Sequence, residues 1–176
     1  MLNRPPQNDS KELSEFLRME NPGRVRLMGQ KMSISLHQTE QIPLLWKKFK
    51  TSLSMNKLLN NRRFFSVSLY GNALAEGSFG PDTEFEKWAA TPILKGDELP
   101  EGNEILEIEA GLYAVFLHRG FPGDFPKTAD FIFNHWLPGS DYQLDSRPHF
   151  EIMDENYRIN DPDTVEEIWI PVRPKK

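Results

Sequence analysis

The chain reads as one unit written twice. Around residues 29 to 94, and again around 111 to 172, a glycine leads into an alternating strand, a helix with a tryptophan, a second strand, and a third strand centred on another tryptophan. Gly111 follows Gly29 by 82 positions, and Trp169 follows Trp88 by 81. A half-sheet with one helix leaves its apolar face largely uncovered, so the two copies are expected to close on each other as one domain. The expected fold class is α+β: tandem strand-helix-strand-strand repeats forming a pseudo-twofold antiparallel sheet with two long helices and a central cleft. The seam between the copies is where a ligand is expected.

The punctuation of the chain gives the expected boundaries. Residues 1–23 read as a polar tail followed by a short helix over Lys11 to Glu20, where Leu13, Phe16 and Leu17 fall at helical spacing and Asn21-Pro22-Gly23 closes the segment. Residues 24–176 read as a single domain, with repeat one at about 24–104 and repeat two at about 105–174. In the first repeat Ile42, Leu45, Trp46, Phe49 and Leu53 make the stripe of a long helix over 42–59. Strands are expected over 64–70 and 84–93. In the second, Leu112 to His118 alternates as a strand, and Phe125, Ala129, Ile132, Phe133 and Trp136 mark a helix that Pro138-Gly139 stops. Strands over 148–153 and 165–172 complete the copy.

Charge narrows the function classes. The formal net charge of -5 argues against wrapping by nucleic acid, and the lack of cysteine removes disulfides, thiolate catalysis and thiolate metal sites. With no signal-like start and no apolar run of membrane length, a soluble cytoplasmic protein without membrane attachment is expected. The average hides an asymmetry. Gln41 to Ala75 holds no acid but six basic residues, Lys47, Lys48, Lys50, Lys57, Arg62 and Arg63, whereas Glu76 to Glu109 holds ten acids against Lys87 and Lys95. The basic 47–63 stretch is a candidate surface for a protein partner, with solvated surface as the plain alternative.

Catalytic and cofactor signatures are lacking. His118, His135 and His149 do not have metal-ligand spacing, no serine sits in a nucleophile elbow, and no glycine loop suits a phosphate. Neither a metal nor a cofactor is expected.

The run Gly111-Leu-Tyr-Ala-Val-Phe-Leu-His-Arg-Gly120, then Asn134-His-Trp-Leu-Pro-Gly139 with Tyr142, then Arg147-Pro-His-Phe-Glu151, then Glu166-Glu-Ile-Trp-Ile-Pro-Val172, resembles the GyrI-like family of effector-binding domains. These are the ligand-sensing domains of some bacterial AraC-type and MerR-type multidrug regulators, and they also occur alone. The resemblance is strong from about Ile105 onward and weaker from Arg24 to Leu94. It implies a stand-alone sensor or sequestering domain whose cleft takes a bulky aromatic or lipophilic cation, with Glu151 at the position of the family's acidic centre. Where a tyrosine commonly follows two residues later, this chain has Met153, a flexible and polarizable side chain.

The residues support Glu151 independently, because a carboxylate inside the apolar strand Phe150 to Met153 needs water, hydrogen bonds or a positive partner. Its structural alternative is a strand glutamate paired with an arginine or facing solvent. The expected ligand-binding set is Glu151, Met153, Tyr70, Phe85, Trp88, Tyr113 and Trp169, the aromatic members supplying faces that attract positive charge. Two alternative functions stand beside binding. Glu151 and Tyr113 are the candidate catalytic pair if the domain hydrolyses an electrophilic small molecule. A gyrase-inhibitor-like interaction module is the other. In transcription, DNA binding is expected to come from another chain, since 23 residues do not hold a helix-turn-helix domain.

Overall fold

The computed structural model describes residues 13–154 and 157–176. Among the described residues nine strands and two helical segments carry the fold. β1 (Ser14–Glu20) and β2 (Val25–Ile34) come first, and a 3-10 turn (Leu36–Gln41) leads into α1 (Ile42–Met55). β3 (Phe64–Leu69), β4 (Phe85–Pro92), β5 (Glu104–Ile108) and β6 (Tyr113–Arg119) follow. The second helical segment begins as α2 (Phe125–Asp130), widens into a π-type stretch (Phe131–Trp136) and ends in a single turn (Leu137–Gly139). β7 (Tyr142–Leu144), β8 (His149–Met153) and β9 (Val165–Pro174) close the chain.

The sheet runs β1-β6-β9-β8-β3-β4-β2-β5, every pairing antiparallel, with β7 added on β9. The repeat expected from the sequence is present as β2-α1-β3-β4 and β6-α2-β8-β9. The copies meet where β3 pairs with β8, so the pseudo-twofold axis passes between those strands. Matching Trp88 to Trp169 through the register also matches Glu86 to Glu167. Each glutamate accepts a hydrogen bond from the indole two residues on, at 3.1 and 3.0 Å.

Strand alternation sorts the side chains into two layers. On the helix-bearing face, Leu45, Phe49 and Leu53 of α1 pack on Met28 and Ala89, while Ile132 packs on Ala114, Phe116, Ile168 and Ile170. On the other face the sheet curls, so that Leu17 of β1 and Leu106 and Ile108 of β5 join Phe65, Val67, Trp88, Tyr113, Phe150 and Trp169 in one core. Gly29 lets β2 lie close to β4, since a Cβ there would run into the carbonyl oxygen of Ala89.

One expected element is corrected. The segment read as a helix over Lys11 to Glu20 is, from Ser14, the edge strand β1 paired with β6. The register slips between Phe16 and Arg18, a bulge that turns Phe16 and Met19 to the same face at a spacing of three. That bulge mimics helical periodicity. Phe16 stacks on Trp136 at 5.0 Å, so the sheet begins before the expected boundary at residue 24. Residues 1–12, the rest of the expected tail and helix, lie outside the described residues. Among the described residues no helix is long and apolar enough to cross a membrane.

Candidate functional site

α1 covers β2 and β4, and the second helical segment covers β6 and β9; between them the central pair β3 and β8 forms the floor. Alternation points Ser66 and Ser68 of β3, and His149, Glu151 and Met153 of β8, into this gap. Ser66 lies opposite Glu151 and Ser68 opposite His149. Lys87 of β4 comes in beside Ser68, and Ile168 of β9 beside Glu151.

Lys87 organises the floor. Its ammonium donates to Ser68 Oγ at 3.0 Å and lies 3.8 Å from the Glu151 carboxylate. The Lys87 side chain is 8% exposed and that of Glu151 23%, so the lysine is sunk in the sheet while the carboxylate keeps an opening toward the gap. Aromatic groups flank them: Tyr70 meets His149 edge-on at 5.1 Å and Phe85 at 4.8 Å, and Phe133 of the second helix approaches His149 from above at 6.3 Å. Burial, reinforced by the Lys87 charge, pushes His149 down to about 3, so this imidazole is neutral at ordinary pH. Burial also raises the Tyr70 phenol to about 12. The gap holds a cavity of about 40 Å³, bounded by Tyr70, Ile132, Phe133, His149, Glu151 and Ile168.

The structure divides the residues singled out in the sequence. Glu151, Met153, Tyr70 and Phe85 stand on the helix-bearing side. Trp88, Tyr113 and Trp169 do not: all three are buried in the core of the opposite face. Tyr113 donates its hydroxyl to the Pro148 carbonyl at 3.0 Å and is stacked under the Arg147 guanidinium at 4.6 Å. The sheet therefore stands between Tyr113 and Glu151, and the two do not converge as a catalytic pair. One strand step decides this, because neighbouring residues point to opposite faces. Lys87, Glu166, His149, Ser68 and Phe133 were not in the expected set. The first two carry a readable signal, each being a charged residue in phase with apolar neighbours, Phe85 and Ala89 for Lys87 and Ile168 and Ile170 for Glu166.

The basic stretch is not one free surface. Arg62 is buried, binding Asp97 at 2.6 Å and the Pro92 carbonyl at 3.0 Å, and Lys50 sits over the Phe64 ring at 5.0 Å. Among the described residues no cluster of three or more potential metal ligands is present. His118 is engaged with Thr128 at 2.6 Å, and His135 with Asp130 at 3.2 Å.

The family described as "GyrI-like small molecule binding domain" matches residues 18–173. The chain belongs to this family. Its GyrI-like fold superposes on SAV2435 bound to tetraphenylphosphonium with a TM-score of 0.67 at 15% identity, covering 90% of this chain and 94% of that one. It also superposes on the C-terminal domain of EcmrR with a TM-score of 0.62 at 13% identity, covering 93% and 100%. In sequence it is 28% identical over 93 residues to the transcriptional regulator BrlR of Pseudomonas aeruginosa, which spans 52% of this chain and 34% of BrlR. The matched region is thus about a third of that regulator's length.

Proposed function

We propose that this GyrI-like domain binds a lipophilic aromatic cation between its two helical segments, with Glu151 as the charge that selects it. The observation that carries this reading is a partly open carboxylate at the centre of the pseudo-dyad, walled by Tyr70, Ile132, Phe133 and Ile168. An apolar wall supplies area for an aromatic ligand, and a charge in such a low-dielectric setting discriminates strongly between a cation and a neutral molecule of the same shape. The likeness to the SAV2435 fold, which has been seen with tetraphenylphosphonium, supports the ligand class. Trp88, Tyr113 and Trp169 serve in this reading as the packing that stiffens the floor from behind.

The cavity of about 40 Å³ is far smaller than such a ligand. Drug-sized molecules need about 300 Å³ or more. Entry therefore displaces Phe133 and Ile132, both of which lie in the π-type stretch Phe131–Trp136. A wider turn gives that stretch fewer regular backbone bonds to lose than a continuous α-helix would have.

Calorimetric titration with tetraphenylphosphonium is the test. Saturable binding is expected, with the neutral triphenylphosphine oxide binding more weakly. Glu151→Gln should lower cation affinity by about tenfold to a hundredfold, the range for losing a charged partner, while leaving the fold intact. A wild-type chain that takes up no such cation, or a Glu151→Gln variant that binds it equally well, defeats the reading.

A further inference from the structure

The layer facing the helices buries more negative charge than it balances. Strands β4, β8 and β9 bring Lys87, Glu151 and Glu166 into it, and Lys87 and Glu166 are 7% and 9% exposed. The groups facing Glu166 among the described residues are His118, directly opposite on β6; Glu151 on β8; Tyr157 beyond that strand; and Lys87, whose field reaches both carboxylates. His118 is occupied with Thr128, and His149 beside Lys87 is neutral. One ammonium thus stands against two carboxylates, and a buried carboxylate without a matching charge holds a proton. Glu166 is the more deeply buried of the two carboxylates, and burial favours the protonated form there. Burial first, and then the negative charge of Glu151, lift it to about 8, with Lys87 opposing only in part.

We propose that Glu166 is a second carboxylate of the ligand site, which gives up its proton when an organic cation enters. This rests on the reading of the cleft given above and adds how the site answers the charge of its ligand. The exchange balances: a neutral carboxylic acid and a free cation become a carboxylate with a bound cation, and one proton passes to solvent. The entering charge supplies what Lys87 cannot, because Lys87 is already held by Ser68 and Glu151. A neutral aromatic molecule expels no proton and leaves Glu166 as the acid. Cation affinity should rise with pH by up to about tenfold per unit below the Glu166 midpoint and level off above it.

The experiment is titration of the wild-type chain with tetraphenylphosphonium at pH 7 in phosphate and in Tris, whose ionisation enthalpies differ. A raised Glu166 midpoint means that the larger part of a proton is released per cation bound at pH 7, and that this release fades as the pH rises through the midpoint. Glu166→Gln should bind the cation with no proton release and no dependence of affinity on pH in this range. Saturable binding with equal enthalpy in both buffers overturns the exchange while leaving the binding reading standing. So does release that persists in Glu166→Gln. Absence of binding to the wild-type chain overturns both. Should Glu166→Gln not fold, the wild-type curve decides: release fading around pH 8 supports the exchange, and release centred near 4.5 overturns it.

Discussion

His149 and Glu166 pull the pH dependence of stability in opposite directions. His149 has its folded midpoint depressed from 6.5 to about 3, so its contribution is fully present above 6.5 and is lost as the pH falls toward 3. Glu166 has its folded midpoint raised from 4.5 to about 8, so its contribution is fully present below 4.5 and is lost as the pH rises through 8. Urea midpoints measured from pH 4 to 9 should therefore fall toward both ends of the range from these two groups. His149→Gln should flatten the acid limb only and Glu166→Gln the alkaline limb only. An acid limb unchanged in His149→Gln would assign that loss to other residues. At this scale the sequence was legible where a charged residue broke an apolar phase, as with Glu151. Trp88 and Trp169 misled for a physical reason: size announces burial, but only register tells which face a strand residue takes.

Among the elements, β1 shows how a bulge alters what can be read. Phe16 and Met19 share a face only because the strand gains a residue between Phe16 and Arg18, and that spacing belongs equally to a helix. The alternating strands β3, β6 and β9 carry no such interruption and were legible within a residue or two at their starts. The second helical segment was legible in extent but not in its π-type widening, which leaves no mark in the spacing of Phe125, Ile132 and Trp136. β1 and this segment meet through Phe16, which stacks on Trp136 and touches Phe116 edge-on at 5.6 Å. Phe16→Ala should cost about 2–4 kcal/mol in urea unfolding, because the ring bridges two elements and its loss leaves a void between them. A loss below about 0.5 kcal/mol would mean that the edge strand contributes little to the packed domain.

For the whole molecule the duplication is real, although the glycines locate it imperfectly. With Trp88 matched to Trp169, the partner of Ala90 is Gly29 and the partner of Pro171 is Tyr113, so Gly29 corresponds to Tyr113 and not to Gly111. The two-residue slip keeps the face and so left the expected strands in place. Gly111 has a different duty, making room for the Arg147 guanidinium, which would lie 2.5 Å from a Cβ there. The core behind the floor draws Leu27, Phe65, Val67 and Trp88 from one copy and Leu106, Tyr113, Val115, Phe150 and Trp169 from the other. Neither copy closes that core alone. Peptides covering residues 24–104 and 105–174 should show no cooperative thermal transition separately and should regain sheet circular dichroism when mixed. A cooperative transition in either one alone would make the copies independent domains.

The same register carries Ser68 onto Glu151 and Lys87 onto Ile168. Twins in backbone, the copies are unequal at their meeting point: one lends a base and the other an acid to a single shared spot. An occupant of the proposed site would meet a left and a right there, so a single pose and a stoichiometry of one are expected despite the symmetry of the frame around it.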